Sequence, residues 1–194
     1  MKYILDFDEV LFNTDALKEK MEEMGIPETQ RGPDVFGAIL EKDPHFKMED
    51  LVFPNVWDFL QTHGNDCIIV SSASSSKAEN NTDEKAQKEF QAKKIFLSGV
   101  EKFGADVRVV GVVKTEALKE VQNEYGEEEL IFLDDREPYV REAKALGIKS
   151  IWMDREGKGH LANFEGTPAM LEFPRVGNFA EFVRYIESCE KILE

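Results

Sequence analysis

Apolar residues along this chain gather in short, mostly apolar runs that alternate with longer stretches where they recur every three or four positions. The runs are residues 2–5, ending at Leu5, then Cys67-Ile68-Ile69-Val70, Val107 to Val113, Leu130-Ile131-Phe132-Leu133 and Ile148 to Met153. Short segments that are apolar at nearly every position are the pattern of parallel strands covered on both faces. Between them, Leu17, Met21 and Met24 share one face of a helix over residues 15–24, with Gly25 as its stop. Val35 to Leu40 and Met48 to Val52 predict two short helices, and Pro54 stands where a helix through Val56, Trp57, Phe59 and Leu60 begins. Further helices are expected at about 83–94, at Thr115 to Tyr125 before Gly126, and at Pro138 to Leu146 before Gly147. A terminal amphipathic helix spans residues 179–193, and 155–170 reads as loop. Strands alternating with helices predict an α/β fold built on a parallel sheet.

Composition narrows the function classes. With 194 residues, 42% hydrophobic and 32% charged, the chain is long enough for one substantial core. Its net charge of −15 argues against nucleic acid as a partner and would repel a phosphate ester. A phosphate site here therefore needs a bound cation or a local lysine. Cys67 and Cys189 are too few and too far apart for a zinc pattern or a disulfide framework. Asp6 and Asp8 interrupt the first apolar run, so it has no signal-peptide layout, and no stretch reaches the length of a membrane span. The expectation is a cytoplasmic protein, with no membrane partner, that is a monomer or homodimer.

In parallel sheets, ligands bind beyond the carboxyl ends of the strands. Those ends carry Asp6 and Asp8, then Ser71 and Ser72, then Asp134 and Asp135, while Lys114 follows the Val107–Val113 run. A carboxylate at the end of a buried strand is costly unless paired, hydrated or bound to metal. Each residue also has a plainer role: turn formation for the aspartates, helix capping for Ser71, Ser72, Asp134 and Asp135, and a solvated helix start for Lys114, with Lys119 as its competitor. His45, His63 and His160 stand in scattered loop contexts with no catalytic pattern, and Trp57, Phe59 and Trp152 have the spacing of core residues.

The order of these motifs resembles the haloacid dehalogenase superfamily, whose members are mostly phosphatases. The first motif of that family is an apolar strand followed by Asp-x-Asp-Gly-Thr/Val; here it is Asp6-Phe7-Asp8-Glu9-Val10. Ile68-Ile69-Val70-Ser71 matches the second motif, Lys114 the third, and Phe132-Leu133-Asp134-Asp135 the fourth, over about residues 1–153. The resemblance implies a three-layer, doubly wound parallel sheet of residues 1–12 and 61–194, with a small helical cap inserted at 13–60. It implies a magnesium-dependent phosphatase acting on a small phosphorylated metabolite through an aspartyl-phosphate. Asp6 would be the nucleophile, and Asp8 would protonate the leaving group and then activate water. Ser71, Ser72 and Lys114 would bind the phosphoryl group, and Asp6, the Asp8 carbonyl and Asp135, with Asp134 nearby, would hold Mg2+. Asn13, Arg31 and Lys47 are cap residues that could face a substrate.

Two positions depart from the family pattern. Glu9 replaces the Gly that eases the turn beside the site, and position 139 is Tyr where an acid would follow Asp135. Glu9 is the best support for a competing class, a catalytically weak binding or regulatory protein on the same fold. Dehalogenation or phosphomutase chemistry is the other alternative, and a dehalogenase needs neither Asp8 nor a metal cluster.

Overall fold

The computed structural model describes residues 1–27, 34–73, 84–111, 113–126, 128–155 and 173–190. Arg31, Ser74 to Ser76, Val112, His160 and the loop and helix expectations at 156–170 and 191–193 lie outside the described residues.

Six strands form one sheet in the order β3-β2-β1-β4-β5-β6, every neighbouring pair parallel. They are β1 (Lys2–Leu5), β2 (Cys67–Ser72), β3 (Asp106–Val110), β4 (Leu130–Asp134), β5 (Lys149–Met153) and β6 (Arg175–Val176). The helices are α1 (Thr14–Glu23), α2 (Val35–Lys42), α3 (Val56–His63), α4 (Glu84–Ser98), α5 (Thr115–Tyr125), α6 (Glu137–Ala145) and α7 (Phe179–Glu190). β1 is central: Tyr3 pairs with Cys67 on one side and with Ile131 on the other.

Side chains alternate across a strand, and the alternation here builds three layers. Tyr3, Leu5, Ile69, Ile131 and Leu133 face one core, filled by Leu17, Phe36, Phe59, Leu60, Ile95 and Phe182 among others. Ile4, Ile68, Val70, Leu130 and Phe132 face the other, closed by Ala117, Leu118 and Val121 of α5 and Tyr139 and Ala143 of α6. The side chains of α1 and α2 belong to the same apolar cluster as those of α3, α4 and α7.

Several elements differ from the sequence expectation in extent. The strand expected over Val107–Val113 ends at Val110, because it is an edge strand whose sole partner, β2, ends opposite it at Ser72. Met48–Leu51 is a 3-10 turn rather than an α-helix. Pro54 precedes a turn in which Asn55 takes φ 68°, so α3 starts at Val56. β6 is only two residues long, too short for any period to register. None of the described helices is long and apolar enough to cross a membrane.

The chain winds from β1 outward through β2 to β3, then returns to β4 on the opposite side of β1 and continues outward. That reversal lies between β1 and β4. A crevice opens beyond the carboxyl ends of the strands at such a point, and Asp6 and Asp134 stand at its two lips.

Candidate active site

Asp6 follows the last residue of β1, and its amide donates to Leu133 O at 2.9 Å, which continues the ladder one step past the strand. Its Oδ1 accepts from Phe7 N at 2.7 Å and lies 2.7 Å from Lys114 Nζ. Lys114 also reaches Asp134 Oδ2 at 2.7 Å, while Asp134 Oδ1 accepts from Arg136 N at 2.8 Å. Asp6, Asp134 and Asp135 each offer an oxygen within 4.8 Å of the others. Trp152 Nε1 donates to the carbonyl of Asp135 at 3.0 Å, so a core side chain of β5 holds the loop that carries that carboxylate.

One ammonium does not neutralise three carboxylates. Burial pushes the Asp6 carboxyl up, Lys114 pulls it back, and repulsion from Asp134 and Asp8 raises it again, to about 7. Asp135 lies well above the carboxylate range through burial and through Asp134 and Asp6. Asp134 is raised by burial despite Lys114. Lys114 is fully buried; burial opposes its charge, but Asp134 and Asp6 outweigh it and hold the ammonium strongly protonated. Its Nζ also lies 5.0 Å from the centre of the Tyr139 ring, so the residue found where an acid was expected supplies a π face to the lysine. Lys119, the competing lysine, is exposed and pairs with Glu116.

Asp8 lies on the other side of the crevice. Its Oδ1 accepts from Thr14 Oγ1 and from the Lys94 ammonium, and its Oδ2 accepts from Gln91 Nε2 at 2.7 Å. Burial would raise this carboxyl, but Lys94 and these hydrogen bonds outweigh it and hold it below the ordinary value. Gln91 Nε2 also donates to Ser71 Oγ at 2.7 Å. Ser72, the next residue of β2, points to the opposite face of the sheet and is half-buried, so Ser71 alone meets Asp8 through Gln91.

Thr14, Gln91 and Lys94 were not among the sequence candidates. Lys94 had one faint signal: it lies between Phe90, four positions back, and Ile95, on a buried helix face that it shares with Gln91 and Ser98. Its Nζ sits 5.5–5.8 Å from the ring centres of Phe7, Phe12 and Phe90. Asn13, read as a substrate-facing residue, caps α1 by accepting from Ala16 N at 2.9 Å. Lys47 is exposed beside the Met48–Leu51 turn.

Glu9 has φ 56°, the left-handed region that a Gly would enter without penalty and that costs other residues about 1–2 kcal/mol. The turn is tied down on every side. Glu9 N donates to Phe12 O, Leu11 N and Phe12 N both donate to Phe7 O, and Glu9 Oε1 accepts from Asp15 N at 3.0 Å. Arg155 donates to Glu9 O and to Val10 O, with its guanidinium 3.4 Å from the centre of the Phe53 ring. The turn therefore takes the glycine-type conformation with Glu in place.

No protein-family model matches the sequence, and neither does any curated protein. Solved structures do match. A haloacid dehalogenase-like hydrolase from Burkholderia xenovorans superposes with a TM-score of 0.63 at 16% identity over 94% of each chain. The L-2-haloacid dehalogenase of Xanthobacter autotrophicus gives 0.58 at 13% identity, covering 96% of this chain and 98% of that one. The D,D-heptose 1,7-bisphosphate phosphatase of Burkholderia thailandensis gives 0.53 at 12% identity, covering 97% and 99%. The strand order, the placement of the four motifs and these superpositions together give this chain the haloacid dehalogenase-like fold.

Proposed function

We propose that this protein is a magnesium-dependent phosphatase that acts on a small phosphorylated metabolite with Asp6 as nucleophile. The observation that carries this is the convergence of Asp6, Asp134, Asp135 and Lys114 at one crevice, with Asp8 across it. Four carboxylates face two ammonium groups there, an excess of negative charge made entirely of hard oxygen donors. That donor set fits Mg2+. Asp134 already spends one oxygen on Lys114 and the other on Arg136 N. Asp6, Asp135 and the Asp8 carbonyl are the residues that would hold the ion directly, with Asp134 fixed beside them by Lys114 and Arg136 N. When bound, it would offset the repulsion between carboxylates and phosphate and polarise the phosphoryl oxygens.

The protein's own groups divide the remaining work. Both hydrogen bonds to the Asp6 carboxylate fall on Oδ1, which leaves Oδ2 to attack phosphorus and form the aspartyl-phosphate. Asp8, ionised at rest, takes up the proton that the ester monoanion brings, passes it to the leaving oxygen, and then takes one from the water that cleaves the intermediate. Thr14, Gln91 and Lys94 set its direction and favour the ionised form that the second step needs. Lys114 and Ser71 answer charge on the phosphoryl oxygens. Residues 13–60, with α1 and α2, would serve as the cap; Thr14, bonded to Asp8, links that segment to the site. A halide-displacing enzyme needs neither the second aspartate nor a cluster at Asp134 and Asp135, which favours phosphate chemistry.

The test is hydrolysis of an aryl phosphate. Wild-type protein with Mg2+ should turn it over, EDTA should abolish turnover, and Asp6→Asn should lower kcat by about 10³-fold or more. A folded, magnesium-binding protein that is inactive on a broad phosphate panel would instead be a binding protein. Near-normal turnover by Asp6→Asn would refute the mechanism.

A further inference from the structure

The side chain of Gln91 is 4% exposed and projects from α4 into the gap between β1 and β2. A single atom, Nε2, donates to Asp8 Oδ2 and to Ser71 Oγ, each at 2.7 Å. The partner decides which end of the amide faces the site. Asp8 is ion-paired with Lys94 and, as a carboxylate, offers only acceptors, so the nitrogen and not the oxygen of Gln91 must face it. An amide nitrogen carries two hydrogens, and these two contacts use both.

The consequence falls on Ser71. Its hydroxyl has one proton to give, and Gln91 already occupies a lone pair on its oxygen. Among the described residues no acceptor takes that proton, although Ser71 is fully buried. A buried donor left unspent is costly until an acceptor arrives, and a phosphoryl oxygen is such an acceptor. The aim of Gln91 is fixed in turn by Lys94, three positions on along the same helical face, which is locked to Asp8 among three aromatic rings.

We propose that Gln91 is a positioning residue that couples Asp8 to Ser71, orienting the proton carrier and forcing the Ser71 hydroxyl to donate toward the phosphoryl group. This rests on the phosphatase reading. Gln91 touches neither the phosphoryl group nor the nucleophile and acts only through its two partners.

The experiment compares Gln91→Met, similar in length but with no donor, with wild type, alone and in a Ser71→Ala background. The measurements are kcat and KM on an aryl phosphate with Mg2+, inhibition by inorganic phosphate, and the melting temperature. Gln91→Met should lower kcat by about 10–100-fold and weaken phosphate inhibition by about 10-fold. The loss of phosphate affinity should vanish in the Ser71→Ala background, because the hydroxyl through which it acts is gone. A purely structural glutamine would lower the melting temperature and shift phosphate affinity equally in both backgrounds, and that result overturns the proposal. So does an active wild type with unchanged Gln91→Met kinetics. A wild type that neither hydrolyses the ester nor binds phosphate removes the phosphatase reading itself, and the coupling with it. Should the Met variant fail to fold, Gln91→Asn keeps the amide but is one methylene too short to bridge both partners, and is judged by the same criteria.

Discussion

Lys114 and Lys94 are both buried, at 0% and 3% exposure, and each is ion-paired with a candidate-site aspartate, yet their surroundings differ in charge balance. Lys114, at the start of α5, is shared between Asp6 and Asp134 with Asp135 close by, and all three carboxyls remain above their ordinary range. Lys94, in α4, serves Asp8 alone, and Asp8 falls below it. The same residue type thus leaves one half of the crevice short of positive charge and satisfies the other. The unbalanced half is where the proposed divalent cation would sit. The balanced half is where a carboxylate is held in one direction with its ionised form favoured.

Removing each lysine should expose this difference most strongly. Lys114→Met strands two buried carboxylates, Asp6 and Asp134, beside the half-buried Asp135, and should cost about 3–5 kcal/mol. Lys94→Met strands one partly exposed carboxylate and should cost about 1–3 kcal/mol. Urea unfolding of both variants without metal checks the order, and an equal cost for the two would break the comparison.

Next in size is pH. The folded Asp6 carboxyl titrates at about 7 against an ordinary 3.8, so between those values the folded state keeps a proton that the unfolded chain has released. The contribution of Asp6 to the stability of the metal-free protein is therefore fullest below about pH 4 and falls as pH rises toward 7, with Asp135 acting in the same direction. Asp8 has the opposite sign: its lowered pKa stabilises above the ordinary carboxylate value and is lost as pH falls below it. Unfolding midpoints in EDTA across pH 4–8 should fall less steeply for Asp6→Asn than for wild type. Parallel curves would mean that Asp6 carries no such strain.

Magnesium should then relieve the unbalanced half alone. At a hundredfold excess over its dissociation constant a ligand adds about 2.7 kcal/mol, on the order of 5–10 °C for a chain of this size. Thermal melts should show that rise in wild type and in Lys94→Met, and its loss in Asp135→Asn. A rise that survives Asp135→Asn would place the ion elsewhere.

The smallest effect is expected at Glu9. Gly there relieves about 1 kcal/mol of left-handed strain but gives up the bond to Asp15 N and adds freedom to the unfolded chain. Glu9→Gly should move the melting temperature by no more than about 4 °C and leave kcat within severalfold. A large gain in turnover would instead mark Glu9 as a brake on the site.

The unbalanced half was legible in the sequence, and the balanced half largely was not. Asp6, Asp134 and Asp135 lie at or just beyond the ends of strands whose apolar runs announce themselves, and parallel pairing brings such ends to one edge. Gln91 and Lys94 sit in a polar helix with no strand end to mark them. That they meet Asp8 depends on how α4 docks against β1 and β2, a contact across more than eighty residues of chain. Choosing Lys114 over Lys119 was likewise a matter of packing, since both lie near the same helix start.

The sequence by itself determined the alternation of buried strands with amphipathic helices, and so the parallel sheet and the edge where acidic residues gather, because hydrophobic periodicity is a local property. Only the tertiary structure decided which lysine serves which carboxylate, that Ser71 rather than Ser72 faces Asp8, and that Glu9 could adopt a glycine's conformation. Those outcomes depend on the net charge and hydrogen-bond partners enclosed by each packed gap, which no single stretch of chain contains.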